Sequence, residues 1–126
     1  MLEREYKPVG YCHEIVIDCA EPRALAEFWR GMLGGEIDAT NNWVALVGGG
    51  GIGKLAFQRV PEGKSVKNRM HIDVEVTDLA EATVRAVALG ATAQGDVFHE
   101  PPGSFQVLLD PEGNEFCLVS GYPRSW

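Results

Sequence analysis

The chain has 126 residues, 45% of them hydrophobic and 23% charged, with a formal net charge of −7. That composition can bury a core and suits one compact domain. The acidic balance argues against a nucleic-acid partner, and the lack of a long apolar run argues against a membrane span.

The opening stretch, Met1 to Glu14, lacks the apolar segment of a signal peptide. Cys12, Cys19 and Cys117 are odd in number and irregular in spacing, so free thiols in a reducing cytoplasm are expected.

Read in chain order, the first strand runs from Glu14 toward Glu21, with apolar residues at alternate positions. A helix should begin at Pro22, where the missing N–H is not needed. Leu25, Phe28, Trp29, Met32 and Leu33 then form one apolar face, and Gly34 should end it. Three strand-like segments follow, near 36–38, 43–47 and 54–60. Between the last two lies Gly48-Gly49-Gly50-Gly51-Ile52-Gly53-Lys54, which formally matches a dinucleotide-binding pattern and nearly matches a phosphate-binding loop. Both motifs need a helix to follow. Here a strand-like run follows, and Leu55 stands where a magnesium-binding Ser or Thr would be, so a hairpin loop is expected.

A polar segment, 61–69, carries Lys64, Lys67 and Arg69; with Arg59 they form a local basic cluster read as a solvated linker. Then the pattern repeats. His71 to Asp78 lies over Glu14 to Glu21, each segment is followed by a helical stretch, and each stretch ends in Leu-Gly: Leu33-Gly34 and Leu89-Gly90. The second helix should start after Asp78, with Glu81 three residues on as a capping box, and Leu79, Ala82, Ala86 and Leu89 as its apolar stripe. Strands are expected near 92–97, 105–109 and 115–119, the last two joined by an Asp110-Pro111-Glu112-Gly113-Asn114 turn. Each half therefore reads βαβββ, and the predicted class is α+β, an open curled mixed sheet around a cleft. Module one covers about 12–60 and module two about 70–119.

The stretches IVIDCAEPRALAEFWRGMLG, LAFQRVPEGKSVKNRMHIDVEV, ALGA and DPEGNEFCLV together resemble the vicinal oxygen chelate superfamily, which includes glyoxalases, bleomycin-resistance proteins and dioxygenases. Within it, the chain is similar to small bacterial glyoxalase-like proteins. The resemblance implies two modules curled around a small-molecule cleft, with metal donors on the first and last strands of each. Carried onto this sequence, those positions are Glu14, Gln58, His71 and Cys117, where Cys117 replaces a usual Glu. The resemblance also puts Gln58 and Cys117 at matching places in their modules.

Divalent cations used as Lewis acids take three or four N, O or S donors and keep an open position. Glu14 and His71 are good donors, Gln58 offers a neutral carbonyl oxygen, and a Cys117 thiolate favours softer metals. The implied cofactor is one divalent metal (Zn, Ni, Fe or Mn) or none. Strand alternation aims Asp18 and Asp73 the same way as Glu14 and His71, and turns His13 to the other face. Trp43 and Phe105 can supply aromatic contact surface, with Gln58, Asp18 and Asp73 as polar ligand contacts.

Three functions follow as expectations. The first is a small-molecule-binding protein of the bleomycin-resistance type, with no chemistry. The second is a metal-dependent lyase, isomerase or dioxygenase acting on a small oxygenated substrate. The third is an enzyme using His71 or Glu14 as general base without metal. A homodimer is expected, because open sheets leave edges to cover.

Overall fold

The computed structural model describes residues 8–40 and 43–123. The first module comprises β1 (Ile15–Cys19), α1 (Pro22–Leu33), β2 (Glu36–Thr40), β3 (Trp43–Val47) and β4 (Lys54–Arg59). The second comprises β5 (Asp73–Glu75), α2 (Leu79–Leu89), β6 (Thr92–Ala93), β7 (Phe98–Glu100), β8 (Gly103–Leu109) and β9 (Glu115–Ser120). The fold is α+β with two open mixed sheets, one for each module. The first has the order β1-β4-β3-β2 and the second β5-β9-β8-β6, with β7 also paired to β8. In each, the opening strand runs parallel to the module's last strand, and the other pairs are antiparallel. No helix among the described residues is long and apolar enough to cross a membrane.

Helix α1 begins at Pro22 and ends at Gly34, whose positive φ of 79° suits glycine. Its apolar stripe buries Leu25, Phe28 and Trp29. The Trp29 ring meets Phe28 and Phe116 edge-on, at centroid distances of 5.2 and 5.0 Å. Phe116 belongs to β9, so this aromatic cluster joins the two modules. Burying an aromatic side chain of this size is worth roughly 3 kcal/mol. Helix α2 starts at Asp78, whose carboxylate accepts from the Glu81 N–H at 3.0 Å.

The Asp110–Asn114 turn does more than reverse the chain. Asp110 is buried and accepts from Glu112 N, Asn114 N, Asn114 Nδ2 and the Trp29 indole N–H. Two residues on, the Glu112 carboxylate accepts from the backbone N–H groups of Ala20 and Glu21, at 3.1 and 2.9 Å. The turn of the second module thus grips the start of α1 in the first.

One segment differs from the sequence reading in detail, and the glycine-rich run is the expected hairpin loop. The strand expected at 92–97 is reduced to the two residues of β6, and a separate β7 follows at Phe98–Glu100, both paired to β8. Gly95 sits between them at φ 89°, and its carbonyl is taken by the Gln106 side chain at 2.9 Å, which interrupts the ladder. The glycine-rich run is a β3–β4 hairpin loop packed against the end of α1. A Cβ at Gly49 would lie 2.5 Å from the Gly34 carbonyl oxygen, so close backbone approach requires glycine there. A strand follows the loop, so it presents no helix N-terminus to a phosphate.

Candidate functional site

Sheet alternation sorts every candidate residue. On β4, Leu55 and Phe57 are buried under α1, while Gln58 is exposed on the opposite face. On β9, Phe116 and Leu118 are buried and Cys117 faces the other way, half-buried. Each sheet therefore has one face in the core, with Gln58 and Cys117 on the faces turned away from it.

On the second module's concave face, three donors converge. Asp73 pairs directly with Cys117 in the parallel β5–β9 register. His71 stands two residues before Asp73, and its Nε2 lies 3.2 Å from Asp73 Oδ1. Ligand atoms of His71, Asp73 and Cys117 all lie within 4.8 Å of one another. Burial raises the Cys117 thiol above its ordinary range, and the Asp73 charge and hydrogen bond raise it further.

These residues border a concavity of about 640 Å³ that Glu75, Glu100, Phe105, Val119 and Tyr122 also line. Phe105 stacks on Phe98 with centroids 5.3 Å apart and planes 14° apart, giving the site a rigid apolar wall. The Tyr122 hydroxyl donates to Glu100 at 3.2 Å. Burial and the Glu100 carboxylate raise the Tyr122 phenol, keeping it a donor. The described lining holds three carboxylates, Asp73, Glu75 and Glu100, and no lysine or arginine.

The first module's candidates lie elsewhere. Asp18, Gln58 and Trp43 form one row across β1, β4 and β3. Glu14 is part-buried beside Lys54, with Oε1 and Nζ 3.4 Å apart. The pair is close enough to attract but is not aligned as a hydrogen bond, and Glu14 Oε1 has no hydrogen-bond partner. Among the described residues, Glu14 is outside the group formed by His71, Asp73 and Cys117.

The strand registers correct one expectation. With Glu14 matched to His71, Val16 matches Asp73. Val16 pairs with Ala56, and Asp73 pairs with Cys117. Cys117 therefore corresponds to Ala56, and Gln58 corresponds to Val119, so Gln58 and Cys117 are not at matching places. The two residues differ by one pleat repeat along their strands.

A second concavity of about 670 Å³ runs between β1 and the 62–70 linker, over Trp29 and Phe116. His71 borders both concavities. Lys64, one of the expected basic cluster, is tied to Glu115 at 3.0 Å, and Arg59 donates to the Ala20 carbonyl at 2.8 Å.

Sequence reasoning missed Glu75, Glu100 and Tyr122. The alternation His71-Asp73-Glu75 put Glu75 within reach of inference. Glu100 and Tyr122 carried no signal, because the first lies on the separate β7 and the second follows the last strand.

A divalent cation needs donors at separations of roughly 3.3–3.8 Å when held tetrahedrally. The His71, Asp73 and Cys117 atoms are within a side-chain adjustment of that spacing. One nitrogen, one carboxylate oxygen and one sulfur are chemically suited to the task, so these residues fit a metal.

Comparison with known proteins agrees with this architecture. The family profile described as a glyoxalase-like domain matches residues 14–119. No curated protein matches the chain. Among solved structures, a glyoxalase/bleomycin resistance protein/dioxygenase family enzyme from Burkholderia phytofirmans PsJN aligns at TM-score 0.72 and 18% identity, covering 86% of this chain and 97% of its own. The fosfomycin resistance protein FosX from Listeria monocytogenes aligns at TM-score 0.72 and 14% identity, covering 91% and 96%. A variant of that FosX, at 15% identity, TM-score 0.72 and coverage of 92% and 93%, is complexed with Mn(II) and 1S,2S-dihydroxypropylphosphonic acid. At these identities the likeness is one of fold.

Proposed function

This chain belongs to the glyoxalase-like domain family, and from that premise we propose that it binds a small oxygenated molecule on the concave face of its second module, beside a divalent cation. The observation that carries the reading is the convergence of His71, Asp73 and Cys117 at a concavity walled by Phe105. A bound cation would act as a Lewis acid toward an oxygen of the ligand. Phe105 offers the ligand an apolar contact, and the Tyr122 hydroxyl oxygen, whose proton goes to Glu100, can accept a hydrogen bond from it.

A second reading is favoured by one pair of groups. Tyr122 and Glu100 are hydrogen-bonded at the edge of the same concavity and can hold or move a proton there. With a cation in place, that arrangement suits a lyase, isomerase or dioxygenase acting on the bound molecule.

The working form is a homodimer. Both β1 and β5 are end strands with one unpaired edge, and Ile15 and Val16 on β1 are exposed. Laying β1 of one copy beside β5 of another would satisfy both edges. It would also set the row Asp18, Gln58 and Trp43, and Glu14, against the His71 face as the opposite wall of the cleft. The unpaired cysteines Cys12, Cys19 and Cys117 suit a reducing cytoplasm.

Screening small hydroxy, oxo and carboxylate compounds by amide chemical-shift perturbation tests the reading. Shifts should cluster at residues 71–75, 105 and 117–122. Shifts confined to residues 15–18 and 62–70 would move the ligand to the other concavity and overturn it.

A further inference from the structure

We infer that the second module alone holds the cation, through His71, Asp73 and Cys117, and that this ligand set selects a zinc-type metal over manganese. The inference rests on the cation reading above and specifies its donors and its metal class. It departs from the four positions implied by family resemblance, because Asp73 takes the carboxylate role and Glu14 takes none.

Register is the first support. Asp73 and Cys117 are direct partners on parallel strands, and His71 and Asp73 are two residues apart on one face. Three donors from two bonded strands converge without any chain movement. Cys117 stands where the family pattern has a carboxylate. Asp73, directly across from it, returns a carboxylate to the same spot.

Chemistry is the second support. An N, O and S set is suited to zinc, which binds imidazole, carboxylate and thiolate in tetrahedral sites and keeps a fourth position for a ligand. Manganese prefers oxygen donors and gains little from sulfur. On binding, the Cys117 thiol loses its proton to solvent and the thiolate bonds the metal. The Asp73 and Cys117 charges together then balance the dication. Glu100 adds a further carboxylate to the lining of the same concavity.

Access is the third support. The His71 and Asp73 side chains are about half exposed, at 50% and 56%. A metal held there would therefore remain accessible to a ligand in the concavity that Phe105 and Tyr122 line.

Titration of untagged, metal-stripped protein with Co²⁺, Zn²⁺ and Mn²⁺ tests the inference. One Co²⁺ per chain should bind and give a thiolate-to-cobalt charge-transfer band in the near ultraviolet. Zn²⁺ should displace it and bind at least about tenfold more tightly than Mn²⁺. The band should vanish in Cys117→Ser and persist in Cys12→Ser. Asp73→Asn should weaken Co²⁺ binding about tenfold or more while the band remains. A band that survives Cys117→Ser, or tighter binding of Mn²⁺ than of Zn²⁺, would overturn the ligand set. So would loss of binding in Glu14→Gln with none in Asp73→Asn. Failure of all three metals to bind would sink the cation reading itself, a result distinct from these.

Discussion

Asp110 shows how one carboxylate can organise a junction. It is 3% exposed and satisfies four N–H donors from two modules. Asp110→Ala would leave the buried Trp29 indole N–H and three part-buried N–H donors without their acceptor and should destabilise the fold by about 3 kcal/mol, read by urea unfolding. Trp29→Phe, which loses one of the four bonds and some packing, should cost less. The turn itself was legible in the sequence. Its grip on α1 was not, because the partners Trp29, Ala20 and Glu21 are far away along the chain. Glu115 is a second anchoring carboxylate. The Asn68 backbone N–H and then Lys64 hold its pKa down to about 2, from an ordinary 4.5. A depressed carboxylate stabilises the fold fully above its unfolded value, and that gain is lost as pH falls from 4.5 toward 2. Glu115→Gln should therefore lower stability at pH 7 by about 1–2 kcal/mol and flatten the acid limb of the unfolding profile. Among the thiols, burial and then the Glu112 charge push Cys19 up to about 11. Native protein should react with a disulfide reagent rapidly at exposed Cys12 and not at Cys19, as peptide mapping would reveal. Rapid labelling of Cys19 would contradict its placement.

At the scale of elements, periodicity carried most of the information. The α1 stripe and the Asp78–Glu81 cap could be read directly, since each depends on neighbours three or four residues apart. The break between β6 and β7 could not, because it depends on a long-range bond from Gln106 to the Gly95 carbonyl. Register was the other blind spot. Sequence alone gave the faces of β4 and β9 but not their alignment with β1 and β5, and so set Gln58 against Cys117 one pleat repeat out of step. The same limit hid the Asp73–Cys117 pairing, although the alternation of His71, Asp73 and Glu75 put all three on one face. The glycine-rich hairpin supplies an element-level test. Gly49→Ala forces a contact with the Gly34 carbonyl oxygen and should cost about 1–3 kcal/mol in thermal or urea unfolding. A neutral result would mean that the hairpin does not close on α1 as described.

At the scale of the molecule, the internal repeat fixes the architecture, and the two copies have diverged in what their concave faces offer. The first presents Asp18, Gln58 and Trp43 with Glu14 beside Lys54, and the second presents a metal-type donor group. The repeat was legible from the two Leu-Gly helix ends and the two alternating strands. How the modules sit together was not, because it is set by Phe28, Trp29 and Phe116 meeting across the junction. Sedimentation at micromolar concentration should give a dimer, and monomer alone would contradict edge pairing of β1 with β5. The central claim is that the second module's concave face is a metal centre. An anomalous difference map at the zinc edge, from crystals of untagged protein grown with Zn²⁺, tests it most directly. The expected result is one strong peak within bonding distance of His71, Asp73 and Cys117. A map with no peak there, or with its peak at Glu14 alone, would contradict the account.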